Sequence, residues 1–535
     1  MKTDTSSIER LKDDSRNLSL RGFWMIYGVV LLWRFLLLLT TAQPIPANDA
    51  FPIDGAVVHW LLHGHYINPC LSQAVPISSH IVFSIYPPGY QIPLLLWMSV
   101  FGTSALSSMW MHFIMFAVAG FLVARILQSI FPAGPQYALA GLLFFGITWG
   151  DRTEDFAHIF GLAALLLVVL KMNKKIDGYA VEIGLILLLF ITLYTTPIPG
   201  ALYFGTCFLV QLAAWGIARR RISLVAYAMV VLLFVAVTLF IVKMYPILWQ
   251  GFMENAALQK PENTTWIHKI HLPTVKALVK LLRKAPVFLV VIACLPFMLK
   301  KRAWKFEVPE NEVAWLSLTI GILCMGTILI VTILVLLSPN YMGYLQYLQI
   351  ILGAGLLAYG ARFFSGVQRI LNGGIVGCAF LLSVRAVGMT TWGVACAHDV
   401  SYLKSREILR AELQPYVTSD RPVAISSAFL YAAAEFGVKN PIDSDWVWDW
   451  HIDGSTEAGL RGMVKMHPAK LVLTQFDYYR GMLTPIIEEL QKHPELVTVH
   501  VRDSATFKTP DSISSFQKVV QHISWAPVIV ELEWK

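Results

Sequence analysis

Apolar runs separated by short polar connections dominate the first three quarters of the chain. They cover residues 22–41, 86–102, 104–127, 136–150, 155–171, 180–196, 199–218, 222–243, 285–299, 313–337, 342–361 and 370–391. A helix needs ~20 apolar residues to cross hydrocarbon, and no period-2 barrel pattern competes, so these runs predict membrane helices. Beyond residue 394 the pattern changes. "RPVAIS", "AKLVLTQ" and "LVTVHV" read as strands, with "MLTPIIEELQKH" as an amphipathic helix between the last two. The expected architecture is a polytopic α-helical membrane protein of about eleven to thirteen crossings. It has an N-terminal segment over 1–21, a transmembrane domain over 22–394 with large polar loops at 42–85 and 244–284, and a soluble α/β domain over 395–535.

Composition agrees. Of 535 residues, 56% are hydrophobic and 14% charged, and the mean hydropathy is +0.59. Soluble domains carry roughly 25% charged residues. The first run is too long for a secretory signal and no small-residue cleavage site follows it, which predicts an uncleaved helix. The six cysteines form no CxxC pair and no zinc spacing.

Charge supplies the topology. Residues 395–535 hold 14 Lys+Arg and 18 Asp+Glu, so the net +8 of the chain comes from the remainder. That excess sits in the N-terminal segment, in "KMNKK" (171–175), "RRR" (219–221) and "KKRAWK" (300–305), and at Arg362 and Arg369. The positive-inside rule places all of these in the cytoplasm, and short basic loops of this kind imply anionic lipid as a partner and no nucleic acid. Three runs lie between the first loop and residue 150 where an even number must cross. Either 86–102, broken by "YPPGYQIP", or the short 136–150 therefore stays at one face. The loop 42–85, "GDRTEDFAH" (150–158), "TTPIPG" (195–200), the loop 244–284, "SPNY" (338–341) and the C-terminal domain then share the outer face. Polar chemistry gathered on one side suits an active site at the membrane boundary.

Several residues there could carry chemistry, each with a plainer alternative. Asp49 and Asp54 could supply a general base or anchor a divalent cation; Asp54 could equally cap the interfacial helix "GAVVHWLLHGHY", which favours Asp49. His59 and His63 share a helix face beside His65, a spacing that can bind zinc or simply hydrogen-bond, and no HExxH is present. Tyr86 and Tyr90 flank two prolines at a helix start, where a lipid headgroup would lie. Asp151, Arg152, Glu154, Asp155 and His158 crowd a connection with almost no loop around it. Arg152 could grip a phosphate or pair structurally with Asp155 or Glu154. Lys269, in a loop rich in Lys and His ahead of the basic amphipathic "LPTVKALVKLLRKAP", could hold a phosphate or anchor to lipid. Tyr341, with Tyr344 and Tyr347, suits a substrate wall or an aromatic belt.

Taken in order, "NDAFPID", "LLHGHYINP", "YPPGYQIPLLLWMSVFG" and the Arg/acid turn over residues 20–200 resemble the GT-C glycosyltransferases, in the protein O-mannosyltransferase and aminoarabinose-transferase branch. The resemblance implies transfer of a sugar from a polyprenyl-phosphate donor to an acceptor (protein, lipid or glycan) on the outer face of a membrane, in the style of a bacterial inner membrane. It maps the family's first-loop acid onto Asp49 and its basic/acidic turn onto Arg152 and Glu154. Two departures stand out: Ala50 follows Asp49 where the family has Asp-Glu, and Tyr86 replaces a lysine before Pro-Pro. The resemblance assigns no metal; the cofactor question lies between none and a divalent cation. The rival class is a transporter or flippase, which would need ionisable groups near the midplane and an internal repeat. Arg34, inside the first run, is the charge that fits it. A non-catalytic polysaccharide-assembly protein is the third reading.

Overall fold

The computed structural model describes residues 5–41, 50–64, 89–131, 134–147, 154–244, 246, 275–299, 309–336, 339–363, 367–399, 401–444, 456–474, 483–503 and 526–535. Asp49, His65, Tyr86, Asp151, Arg152 and Lys269 lie outside these residues.

α1 (Thr5–Thr41) takes in both the first apolar run and the polar segment ahead of it. α2 (Ala50–His63), α3 (Gln91–Phe101), α4 (Ala105–Ile130), α5 (Gln136–Phe145), α6 (Glu154–Met172), α7 (Tyr179–Thr195), α8 (Pro197–Ala218) and α9 (Leu224–Met244) follow. The basic amphipathic stretch forms α10 (Val275–Lys284), succeeded by α11 (Pro286–Leu299), α12 (Val313–Leu336), α13 (Gln346–Phe363) and α14 (Gln368–Asp399). Among the described residues, seven helices are long and apolar enough to cross a membrane: α1, α4, α6, α8, α9, α12 and α14.

The basic loops at 171–175 and 219–221 meet on one face of this bundle. Lys171, in the last turn of α6, reaches Glu182 on α7 and, at 2.8 Å, Ser223 ahead of α9. Glu310 takes Lys174 at 2.6 Å and Arg220 at 2.8 Å. Asn173 Nδ2 donates to the carbonyl of Ser129, so the end of α4 lies here as well. Opposite ends of the same helices carry the first turn of α6, the α7–α8 junction and the first turns of α4.

This polarity identifies the run that does not cross. Tyr90, at the start of α3, meets His112 in the second turn of α4, while Trp97 near its end donates to the carbonyl of Ser107 at 2.8 Å. Both ends of α3 therefore rest against the same end of α4. α5 behaves differently. The Tyr137 hydroxyl donates to Leu127 and Phe131 at the basic end of α4, whereas the far end of α5 meets Arg34. Its ten residues span only about 15 Å as helix, yet they start at one face and continue towards the other. α3 thus stays at one face, while α4 to α8 run between the two.

Arg34 has a structural task. Its Nη2 donates to the carbonyls of Phe145 (3.4 Å) and Ile147 (3.2 Å), at and just past the end of α5. A cation at a helix C-terminus satisfies carbonyls that have no partner within the helix and opposes the dipole. The charge that fitted the transporter reading is a helix cap.

The C-terminal domain comprises α15 (Tyr402–Leu413), β1 (Val423–Ile425), α16 (Ser427–Phe436), β2 (Pro441–Asp443), α17 (Thr456–Met466), β3 (Lys470–Thr474), α18 (Leu483–Gln491), β4 (Val497–Asp503) and β5 (Pro527–Trp534). The strand order is β2-β1-β3-β5-β4, parallel across β2-β1-β3 and antiparallel beyond. β1, β3 and β4 are the strands that the sequence pattern predicts, with α18 between the last two. β2 and β5 were not expected. β2 is a three-residue edge strand opening on a proline, a position that tolerates the missing N–H. Val57, Val58, Leu94 and Met98 of the membrane part share one buried apolar cluster with Phe429, Leu430, Ala433 and Ile529. This seats the α/β domain on α2 and α3, at the face opposite the basic loops.

Candidate functional site

α2 buries Asp54. One helical turn later Val58 is also buried, and both point into the cluster shared with α16, while Trp60 and Leu62 stay 44% and 40% exposed. Asp54 is itself only 1% exposed. It lies inside the helix, not ahead of it, so it is not the cap of α2. Its Oδ2 accepts from Ser108 Oγ at 3.1 Å and from the hydroxyl of Tyr431 on α16. Ser104 caps α4 by accepting from the Ser107 N–H, which fixes Ser108 in the first turn. Oδ1 is buried without a hydrogen-bond partner among the described residues. Burial pushes the Asp54 carboxyl above its ordinary range; the Tyr431 hydroxyl, the His112 ring, Ser108 and Tyr90 all pull the other way and do not overcome it.

Beside it runs a second chain of contacts. The Tyr90 hydroxyl lies 3.1 Å from His112 Nε2, and His112 Nδ1 lies 3.0 Å from Asp155 Oδ2. The Asp155 carboxylate accepts from Nδ1, and Nε2 pairs with the Tyr90 hydroxyl, donating when the ring is charged and accepting when it is neutral. Gly89 makes the approach of Tyr90 possible: a Cβ there would sit 2.8 Å from the carbonyl oxygen of Tyr194, at the end of α7. The glycine of "YPPG" therefore lets two backbones touch, a role separate from its turn-forming reputation.

The first turn of α6 supplies the other acids. Glu154 is 5% exposed and accepts from the Tyr344 hydroxyl at 3.1 Å; Asp155 is 6% exposed. Carboxylates in the first turn of a helix are favoured by its dipole. Tyr341 is half-buried with its ring 5.4 Å from that of Tyr344. One turn deeper, His158 Nδ1 lies 2.9 Å from the Tyr203 hydroxyl, and its ring faces Tyr347 at 4.8 Å.

Asp54, Glu154 and Asp155 thus gather at one polar layer, between α2, α4, α6, the 3-10 stretch Pro339–Leu345 and α16. His59 and His63 are placed elsewhere. Nine residues beyond Asp54, His63 lies about 180° around the helix. The two imidazole rings, 4.6 Å apart, line a 240 Å³ cavity with Val438 and Lys439 of the C-terminal domain. Among the described residues no group of three side chains could hold a metal ion.

His112, Ser108 and Tyr431 were not among the expected candidates. Ser108 and Tyr431 are ordinary residues of helices and give no local sign. His112 did give one. It is the one histidine inside the run 104–127, and an ionisable residue within a membrane helix is functional by default.

Fold and site together define the class: a polytopic α-helical membrane protein with a C-terminal α/β domain, and a buried acid, tyrosine and histidine network where the two parts meet. No family model matches the chain, and no curated protein matches it. Among solved structures, the crystal structure of ArnT from Cupriavidus metallidurans bound to undecaprenyl phosphate is similar, with a TM-score of 0.48 and 12% sequence identity, over 95% of this chain and 97% of that one.

Proposed function

We propose that the protein is an integral membrane glycosyltransferase. It moves a sugar from a polyprenyl-phosphate donor to an acceptor hydroxyl at the face opposite the basic loops, which the positive-inside rule makes the outer face of the membrane. The observation that carries this reading is Asp54, a buried carboxylate at the membrane boundary with one oxygen held by Tyr431 and Ser108 and the other without a partner among the described residues. A base with this geometry can take a proton from an acceptor only if it is ionised. Burial raises its pKa, which strengthens the carboxylate as a base.

The acceptor oxygen attacks the anomeric carbon as its proton passes to the carboxylate. The bond from that carbon to the phosphate oxygen breaks, and the polyprenyl phosphate leaves with the electron pair. One displacement inverts the anomeric centre. Asp49, five residues earlier, is the second acid of this loop and the one favoured by the resemblance to GT-C enzymes. Arg152 and Lys269 are the cations proposed for the leaving phosphate, Glu154 and Asp155 are proposed as further site acids, and Tyr341, Tyr344 and Tyr86 are the proposed walls.

The test is transfer from a synthetic polyprenyl-phosphate sugar by the purified protein in nanodiscs, comparing Asp49→Asn and Asp54→Asn. A general base contributes about 10²–10⁴-fold, so one of the two should lose at least a hundredfold in kcat. If both retain transfer, the reading fails. Transfer without any ion or membrane gradient separates a transferase from a transporter.

A further inference from the structure

A second cavity, of 450 Å³, opens at the basic face, at the far end of α6 and α8 from Asp54. Its polar lining is Lys171, Lys174, Lys175, Asp177, Gln211, Arg220 and Arg221, with Val168, Met172 and Ile176 as its apolar part. Three carboxylates stand near, and each is engaged. Glu182 holds Lys171, and Glu310 bridges Lys174 and Arg220. Asp177, on the rim, accepts from the Gly178 N–H at 2.8 Å. Lys175 and Arg221 are left with no carboxylate partner among the described residues, so the cavity keeps an excess of positive charge.

Gln211 is the buried polar side chain of this cavity. It is 2% exposed and lies on α8 within the apolar bundle. Its Oε1 accepts the Ser223 N–H at 2.7 Å, which fixes the amide orientation and points Nε2 away from that bond. Nε2 is buried with no hydrogen-bond partner among the described residues, and so is Arg220 Nε. A buried donor without an acceptor keeps the full cost of its lost hydration. Two such donors beside unpaired cations demand an acceptor-only group.

We propose that this cavity binds a phosphate-bearing anion, the phosphodiester headgroup of an anionic phospholipid or a soluble phosphate compound of the same chemistry. Gln211 and Arg220 donate to the phosphate oxygens, and Lys175 and Arg221 supply the charge. The position suits a headgroup: basic pockets between membrane helices at the cytoplasmic side take anionic lipid, and Val168 with Met172 offers an apolar surface to the glycerol end. The site is separate from the proposed transfer chemistry and does not depend on it.

The experiment is calorimetric titration of the full-length, delipidated protein in neutral detergent. The probes are dioctanoylphosphatidylglycerol, dioctanoylphosphatidylcholine and inorganic phosphate. Saturable binding of the phosphatidylglycerol, at least tenfold tighter than the phosphatidylcholine, is expected. The pair Lys175→Glu with Arg221→Glu, and separately Gln211→Glu, which keeps the acceptor for Ser223, should each weaken it at least tenfold. If inorganic phosphate binds in the same variant-sensitive way and competes, a soluble phosphate compound is the occupant, and the proposal stands in that form. Should the charge-reversed pair fail to fold, Lys175→Gln with Arg221→Gln replaces it, with at least a threefold loss expected. Non-saturable binding of both probes, or affinities unchanged in correctly melting variants, overturns the proposal. Binding is read without transfer, so loss of the transferase reading would leave this result untouched.

Discussion

Replacing Tyr431 with Phe tests whether the C-terminal domain tunes the acid at the membrane boundary. The tyrosine is 1% exposed, and its ring packs in the cluster that joins α16 to α2 and α3, so phenylalanine keeps the packing and removes only the hydroxyl. That hydroxyl is one of two side chains bonded directly to Asp54 Oδ2. A hydrogen bond to a charged group contributes about 1.5–3 kcal/mol, and one pKa unit corresponds to about 1.4 kcal/mol. Losing it should therefore raise the Asp54 carboxyl by about one to two units above a value that burial already holds high. If Asp54 acts as the base, the active form is the carboxylate, and the acid limb of the pH–rate profile must move alkaline by the same one to two units. The alkaline plateau should hold within a few-fold, since the ionised base is no weaker. The assay is the pH dependence of kcat/KM for transfer from a polyprenyl-phosphate sugar between about pH 5 and 9. A uniform loss at every pH, with the limb unmoved, would show that Tyr431 only braces the fold. No change at all would remove Asp54 from the chemistry.

With Asp54 as the base, Asp54→Asn should lower kcat at least about a hundredfold without harming the fold. A carboxyl whose folded pKa is raised contributes stability below its unfolded value of about 4, and that contribution is lost as pH rises through the folded value. Thermal unfolding of the wild type should therefore show stability falling over that window, and the Asn variant should lack the slope; a lower Tm for the variant at neutral pH would contradict this. Gly89→Ala forces a methyl against the Tyr194 carbonyl and displaces Tyr90, so a loss of at least tenfold in kcat is expected, with wild-type activity the refuting result. Arg34→Gln removes the cation bonded beyond the end of α5 and should lower stability by about 1–3 kcal/mol, measured by chemical denaturation in micelles, while kcat per folded molecule stays unchanged. A collapse of kcat at unchanged stability would return Arg34 to a functional pathway.

The sequence by itself determined the membrane class and the order of helices, because hydrophobic periodicity and run length respond directly to the solvent each segment meets. It predicted that the basic loops at 171–175 and 219–221 share a face, because lysine and arginine rarely cross hydrocarbon. Three of the five strands were legible from local alternation. β5 was not, since its central place between β3 and β4 depends on pairing across distant sequence. Only the tertiary structure decided that α3 stays at one face, since two proline-bounded or short runs fit the count equally well until Tyr90 and Trp97 are seen against the same end of α4. It also decided that Asp54 is buried and not a cap. Its partners Ser108 and Tyr431 lie 54 and 377 residues away, and local pattern carries no information about contacts that chain folding alone brings together.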